Sequence, residues 1–174
     1  MNPNNVISLS IALCAVLFTA YGLAATRRHN RLSVTPHLSG CTNSSTTNEG
    51  LIFAYDISNN GIGPAIIKKV ILLRHGKLFP RGNGEYIETL IREHFGGQLN
   101  YQIIHSFNFG TDASFKSGDT RRIIEILFPG IKLQEKEKTF KILEGLDLRI
   151  EYESFYGQKF IFSTENKIDT EKLA

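Results

Sequence analysis

The longest apolar stretch of the chain lies near its N-terminus. Residues 6–25 read VISLSIALCAVLFTAYGLAA and contain no charged side chain. A helix rises about 1.5 Å per residue, so this stretch would extend about 30 Å, which matches the hydrocarbon core of a bilayer. The pattern therefore predicts a transmembrane helix over residues 6–25, preceded by a short polar tail over residues 1–5.

Two other interpretations of this segment compete with a retained anchor. A cleaved signal peptide requires basic residues before the apolar run, and MNPNN has none, although Gly22-Leu23-Ala24 fits a small-x-small cleavage site. A lipoprotein requires a small residue before its modified cysteine, and here the bulky Leu13 precedes Cys14. We favour the retained anchor, with the signal peptide as the alternative.

Beyond the anchor, apolar residues mostly recur at every second position, as in strands with one buried face. The alternation is strictest at Leu146, Leu148, Ile150 and Tyr152, which are separated by charged side chains. A polar, turn-rich loop is predicted over residues 39–50. Further strands are predicted over 31–38 (an edge strand marked by Pro36), 51–58, 66–74, 99–107, 121–128 and 159–163.

One stretch departs from this alternation. Six residues recur at the spacing of one helix face: Tyr86, Ile87, Leu90, Ile91, His94 and Phe95. We predict a short helix over residues 84–96 and a short helix or loop over 133–143. Seven or eight strands and one or two short helices indicate a mainly β domain over residues 33–163, built as a β-sandwich or open barrel. A polar tail follows over residues 164–174.

Charge is concentrated beside the predicted anchor. The chain has 20 Lys plus Arg and 17 Asp plus Glu, a net charge of +3. Arg27, Arg28 and Arg31 lie in a basic juxtamembrane segment over residues 26–32, and no acidic residue precedes Glu49. These three arginines account for the whole excess. The domain is therefore neutral, and nothing in its charge supports nucleic acid as a partner.

The same arginines predict the orientation of the chain. Lys and Arg next to a membrane span prefer the cytoplasmic side, and the N-terminal flank contains no basic side chain. We expect the N-terminus outside and the domain in the cytoplasm, with Arg27, Arg28 and Arg31 at the membrane surface, where they can contact anionic lipid. A periplasmic domain is the alternative.

No pattern of reactive side chains points to catalysis. Cys14 lies in the span and Cys41 in the polar segment, so neither has a disulfide or metal-ligating partner nearby. The histidines lack zinc-ligand spacing. Gly61-x-Gly63 precedes a strand, whereas phosphate loops open a helix. We predict a non-enzymatic protein with no catalytic residue, cofactor or metal.

The C-terminal hairpin is rich in aromatic residues. Alternation places Tyr152, Phe160 and Phe162 in the core. Phe155 and Tyr156 lie at the turn, where packing into the core and exposure both remain open. If exposed, these two residues form a candidate partner surface.

Three segments resemble a loose group of small bacterial single-pass membrane proteins. They are RRHNRLSVTPHL over 27–38, NNGIGPAIIKKV over 59–70 and IEYESFYG over 150–157. The group shares an anchor, an HNRLSVxPxL first strand, an NxGxGPAxI turn and an IxYxSxYG hairpin. The resemblance covers most of the domain and rests on turn glycines and apolar core positions. It implies an immunoglobulin-like sandwich anchored in a bacterial inner membrane and carries over no catalytic residue.

Taken together, these patterns predict a membrane-tethered, non-enzymatic module that senses or recruits a protein or a small ligand at the cytoplasmic face. The alternative is a membrane effector, of the anti-phage or toxin-like kind, whose span self-associates and perturbs the bilayer. The expected partners are the lipid bilayer and either a protein or a second copy of the chain.

Overall fold

The structure is a computed structural model that describes residues 3–80, 86–97, 99–110 and 113–165. This part of the chain contains three α-helices, one 3-10 turn and nine strands. In chain order they are α1 (Pro3–Leu32), β1 (Leu38–Thr46), β2 (Gly50–Asn59), β3 (Ala65–Arg74), β4 (Lys77–Leu78), α2 (Tyr86–Phe95), β5 (Gln102–Ser106), β6 (Ser114–Phe115), β7 (Thr120–Pro129), the 3-10 turn (Leu133–Glu135), α3 (Lys136–Leu143), β8 (Leu146–Glu153) and β9 (Lys159–Ser163).

The first helix is longer than the predicted span because it continues through the basic segment. α1 has 30 residues. Among the described residues, one helix is long and apolar enough to cross a membrane, and its apolar window is Ser10–Arg31, with a mean hydropathy of 1.4. None of that window is buried in the rest of the chain. Thr19 donates its hydroxyl to the Ala15 carbonyl at 2.8 Å, which satisfies a polar side chain inside an apolar helix.

The predicted first strand and the loop after it are both wrong. Residues 31–32 end α1, and Pro36 lies fully buried in a linker over residues 33–37 rather than on an edge strand. The strand β1 instead occupies most of the segment whose composition predicts a loop, and it pairs antiparallel with β2 from Leu38↔Asn59 to Thr46↔Leu51. An edge strand needs only one partner and can keep polar side chains in solvent, so pairing with β2 overrides its low strand propensity.

The strands form two antiparallel sheets, which confirms a mainly β fold. One sheet has the order β1-β2-β7-β5, and the other has the order β4-β3-β8-β9, with β6 also paired to β3. Both sheets contribute to one core, which includes Leu51, Ile57, Ile126 and Phe128 from the first and Leu72, Leu148, Ile150 and Tyr152 from the second. The alternating face predicted for β8 is confirmed, since Leu148, Ile150 and Tyr152 are buried.

The predicted amphipathic helix is also confirmed. Four residues of α2 are buried in the same core: Ile87, Leu90, Ile91 and Phe95. Residues 84–85 of the predicted helix lie outside the described part of the chain. The second uncertain segment, residues 133–143, forms the 3-10 turn followed by α3.

The last strand ends at Ser163, immediately before the predicted tail. Thr164 still pairs with β8, since its hydroxyl accepts from Leu148 N at 2.8 Å and its N–H donates to Leu148 O at 3.0 Å. Residues 166–174 of that tail lie outside the described part of the chain.

The linker from α1 is fixed to one end of the domain by a buried asparagine. Asn59 is fully buried, and its Oδ1 accepts from His37 N at 3.0 Å and from Gly61 N at 3.1 Å. Its Nδ2 donates to Gly63 O at 2.8 Å and to Phe115 O at 3.1 Å. The linker, the turn after β2 and the strand β6 thus meet at one side chain. We call this the anchor end of the domain; it comprises the linker 33–37 and the turns 60–64, 116–119 and 154–158.

Candidate functional site

An open cleft between the two sheets is the best candidate for a functional site. Its volume is about 750 Å³, and it lies on the side where β1 and β9 are the edge strands. Ligand pockets in proteins commonly measure about 300–1,000 Å³ and are lined mainly by apolar side chains with a few polar groups. The cleft fits this description in both size and lining.

The cleft exists because β1 presents small side chains to the opposite sheet. Leu38 is buried at the start of this strand, but Gly40, Thr42 and Ser44 follow it on the same face and line the cleft. The residues opposite them on β2 are Ile57, Tyr55 and Phe53. Small residues on one edge leave a gap that large apolar residues would otherwise fill.

In addition to Phe140 and Leu143 of α3, apolar residues from five further elements form much of the remaining lining. They are Leu72 of β3, Ile87, Leu90 and Ile91 of α2, Ile123 and Ile124 of β7, Leu146 and Leu148 of β8, and Phe162 of β9. Most of these residues belong to the core or pack against it. The interior of the cleft is therefore continuous with the hydrophobic core.

Tyr55 supplies a polar group inside this apolar space. Burial raises the pKa of its hydroxyl to about 12, and the nearby Cys41 thiol adds to the effect. No hydrogen bond within the described part of the chain uses this hydroxyl. A Cβ at residue 40 would collide with it, so Gly40 leaves the room that the tyrosine occupies. Tyr55 Oη is thus available to a ligand as donor or acceptor.

The helix α3 covers the cleft at the end opposite the anchor end. Phe140 lines the cleft and packs edge-on against Phe53, with ring centroids 5.6 Å apart. Lys136 Nζ lies 5.1 Å from the centroid of the Phe140 ring. These contacts hold an aromatic side chain across the cleft and place an ammonium group at its rim.

A histidine of α2 forms a hydrogen bond with the C-terminal end of α3. The His94 ring nitrogen Nε2 lies 2.6 Å from Ile142 O, so in this arrangement Nε2 carries the proton and donates it. Its other ring nitrogen, Nδ1, is buried with no partner in the described structure. Burial lowers the pKa of His94, an effect opposed by the bond to Ile142 and reinforced by His75 and Arg74.

The polar rim of the cleft offers groups for binding. Lys136, Glu144, Asp147, Ser163 and Thr164 all line it. The Asp147 carboxylate accepts a hydrogen bond from the Thr164 hydroxyl at 3.1 Å. Rim groups of both charges around an apolar interior suit a ligand with an apolar body and a polar end.

The residues singled out from the sequence lie away from this cleft. Arg27, Arg28 and Arg31 are exposed on the last turns of α1. Phe155 and Tyr156 are exposed at the turn between β8 and β9, with 73% and 50% of their surface accessible. Phe155 and Tyr156 belong to the anchor end of the domain, the three arginines lie on the helix that leads into it, and none of these residues lines the cleft.

The cleft could not be predicted from the sequence because it forms only when distant segments of the chain pair with each other. The polar strand β1 lines a gap only once it is registered against β2 and faces β9. The pattern Leu-x-Gly-x-Thr-x-Ser from residue 38 carries the alternation, but small polar residues are equally typical of a loop. The described residues include no group of three or more His, Cys, Asp or Glu side chains arranged to hold a metal ion.

The chain was also compared with known proteins. No protein-family model matches it, and no curated protein matches it.

Proposed function

We propose that the chain is a membrane-tethered, non-enzymatic sensing module whose domain binds a ligand in the cleft between its sheets. The ligand has an apolar body, which lies between the sheets, and a polar group that reaches Tyr55 Oη or the charged rim. The observation that carries the proposal is an open cleft of about 750 Å³ continuous with the core. Such a cleft exposes apolar surface to water, and a bound apolar ligand would remove that surface from water.

The membrane tether in this proposal is supported by α1. Its apolar window has the length and composition of a membrane span, and three arginines close it at the end that joins the domain. We infer an anchor in a bacterial inner membrane, with the N-terminus outside and the domain in the cytoplasm. The lipid bilayer is then the first partner of the chain.

We further infer that the domain is an immunoglobulin-like sandwich rather than an open barrel. The sheet orders β1-β2-β7-β5 and β4-β3-β8-β9 correspond to strands A-B-E-D and C′-C-F-G of that fold when the short β6 is set aside. No described strand belongs to both sheets. The strands that correspond to B and F lack the cysteines that many immunoglobulin domains join by a disulfide.

Filling the cleft tests the proposed ligand. Ser44→Phe places a large ring in the cleft between the two sheets, whereas Ser45→Phe places the same ring on the exposed face of the same strand. The full chain, purified in detergent from membranes, is examined by native mass spectrometry for a small molecule that remains bound. We expect a bound molecule on the wild type and on Ser45→Phe but not on Ser44→Phe.

Two results would contradict the ligand proposal. One is a wild-type chain that carries no bound molecule. The other is a Ser44→Phe chain that folds and retains the same bound molecule as Ser45→Phe, because lipid attached to the outside of α1 would produce that pattern. Circular dichroism of both variants shows whether the domain remains folded.

A further inference from the structure

The anchor end of the domain carries exposed apolar side chains on two turns. Ile62 lies between β2 and β3, and 72% of its surface is exposed. Phe155 and Tyr156 lie between β8 and β9 and are 73% and 50% exposed. Single exposed apolar residues are common on proteins, but an isoleucine and two aromatic rings at one end of a small domain indicate a contact surface.

The pairing of the strands places these two turns next to each other. Ile66, the second residue of β3, pairs with Glu153, the last residue of β8. The junction of the linker with β1 also reaches both turns. His37 N donates to Asn59 Oδ1 just before the first turn, and Leu38 N, at the start of β1, donates to Tyr152 Oη just before the second. The exposed apolar residues therefore lie at the end of the domain from which α1 departs.

The aromatic turn is held in one conformation. Ser154 is buried, its N–H donates to Gln158 O at 2.9 Å, and the Gly157 N–H donates to Ser154 O at 2.9 Å. The rings of Phe155 and Tyr156 lie edge to face with their centroids 5.8 Å apart. The rings are thus presented outward by a turn whose hydrogen-bonded backbone has little conformational entropy left to lose on binding.

The two ends of the domain differ in charge. Three of the four segments of the anchor end, the linker 33–37 and the turns 60–64 and 154–158, contain no Asp, Glu, Lys or Arg. The fourth, the turn 116–119, contains Lys116 and Asp119, and the Asp119 carboxylate lies 3.6 Å from the Arg121 guanidinium. At the opposite end, residues 130–145 contain seven charged residues: Lys132, Glu135, Lys136, Glu137, Lys138, Lys141 and Glu144. Aromatic side chains with a polar tip and uncharged apolar side chains partition to the interface of a bilayer, where carboxylates are disfavoured.

The tether keeps this end close to the membrane. Five residues separate the last residue of α1 from β1, and a fully extended chain of five residues spans at most about 17 Å. Val34 packs against Gly63, so the free length is shorter still. If α1 spans a bilayer, the anchor end lies within reach of the headgroups.

We propose that the anchor end docks on the bilayer surface, with Ile62, Phe155 and Tyr156 entering the headgroup region beside Arg27, Arg28 and Arg31. This proposal rests on the proposed membrane anchor. It fixes the domain upright on the membrane, with the cleft rim and α3 directed away from the lipid. The lipid surface, and not a second protein, is then the partner of the aromatic turn.

Single tryptophans test the docking, because the chain contains none. Phe155→Trp and Ile62→Trp report on the anchor end, and Leu78→Trp reports on the opposite end, where Leu78 is 68% exposed in β4. Phe18→Trp reports on the span itself. The full chain is reconstituted in phosphatidylethanolamine–phosphatidylglycerol vesicles, with or without lipids brominated near the headgroup. We expect blue-shifted emission and loss of intensity from bromine for Phe155→Trp and Ile62→Trp, but not for Leu78→Trp.

The other outcomes separate this proposal from the one on which it rests. If lipids brominated deep in the bilayer quench Phe18→Trp while Phe155→Trp behaves like Leu78→Trp, the anchor stands and the docking is wrong. If Phe18→Trp is not quenched either, the anchor itself is wrong. Blue-shifted emission of Phe155→Trp without bromine quenching would show burial against protein, which would overturn lipid docking in favour of a second copy of the chain.

Discussion

At the scale of single residues, Asn59 connects the anchor to the fold. It is the last residue of β2, and it is fully buried although its side chain is polar. Both ends of its amide are bonded, to the backbone of the linker, of its own turn and of the strand β6. A buried amide with this number of partners stabilises one arrangement of three distant segments.

Removing this amide should destabilise the domain more than a neighbouring substitution does. Asn59→Ala leaves the His37 N–H and the carbonyls of Gly63 and Phe115 without their partner, and each unpaired buried group costs about 1–3 kcal/mol. We expect a clear drop in the midpoint of thermal unfolding of the full chain in detergent. Asn60→Ala is the matched control because Asn60 is exposed and bonds through its side chain to Ser39. Equal midpoints for the two variants would contradict the role assigned to Asn59.

A second residue, His94, makes stability depend on pH. Its pKa in the fold is lowered, chiefly by burial, below the usual 6.5. Between the pKa of His94 in the folded chain and its value of about 6.5 in the unfolded chain, the unfolded chain binds more protons. The contribution of neutral His94 to the stability of the fold is therefore complete above about pH 6.5 and is lost as the pH falls. Protonation would also place a charge beside Arg74 and His75 at the site that fastens α3.

The histidine can be tested by comparing two pH series. Urea unfolding of the full chain should show stability falling between neutral pH and about pH 5, in the direction given by linkage. His94→Gln keeps a side-chain N–H for the Ile142 carbonyl but does not titrate, so its stability should fall less over the same range. Parallel curves for the wild type and the variant would rule out His94 as the source of the dependence.

At the scale of elements, β8 offers the sharpest test of register. Ile150 has no exposed surface and lies at the centre of the alternation. Ile150→Asp buries an unpaired carboxylate, which costs several kcal/mol against a total stability of about 5–15 kcal/mol, so the domain should unfold. Glu151→Asp is the control, since it keeps a carboxylate on the other face of the same strand. Loss of the β signal in circular dichroism for the first variant alone is the expected result.

Arg149 is a poorer control than its place in the sequence indicates. Alternation predicts that it lies on a solvated face, but it is half-buried between Ile71 of β3 and Ser163 of β9, and its Nε is buried with no partner in the described structure. The central position of β8 in its sheet explains this, because neighbours on both sides cover its outer face. A substitution there would combine the loss of packing with a change of charge.

Elements with a strong apolar period could be predicted from the sequence, and elements defined by pairing could not. The faces of α2 and β8 follow directly from Ile87, Leu90, Leu148 and Ile150, because burial of a stripe determines which side faces the core. The strand β1 has no such stripe, so only β2 determines its place. The cleft is formed by β1, β9 and α3 together with the sheets, so it also depends on pairing and could not be predicted from the sequence.

At the scale of the whole molecule, the two ends of the domain differ in composition. An apolar helix with arginines at its end leads into the anchor end of the domain, whose linker and turns contain two charged residues, and the segment around α3 with its seven charged residues lies at the opposite end. The core and the cleft lie between the two. In the proposed arrangement, a ligand enters the cleft from the cytoplasm while the anchor end stays on the lipid.

The side of the membrane on which the domain lies can be measured directly. Arg27, Arg28 and Arg31 should hold it in the cytoplasm, because cationic side chains beside a span resist transfer and the other flank has no Lys or Arg. C-terminal fusions should therefore give fluorescent green fluorescent protein and inactive alkaline phosphatase. Replacing the three arginines with Asn and adding two lysines after Met1 should invert or scramble this result, whereas the lysines alone should weaken it. Phosphatase activity of the unaltered chain would place the domain in the periplasm, where Cys41, exposed on β1, could cross-link two copies in an oxidising compartment.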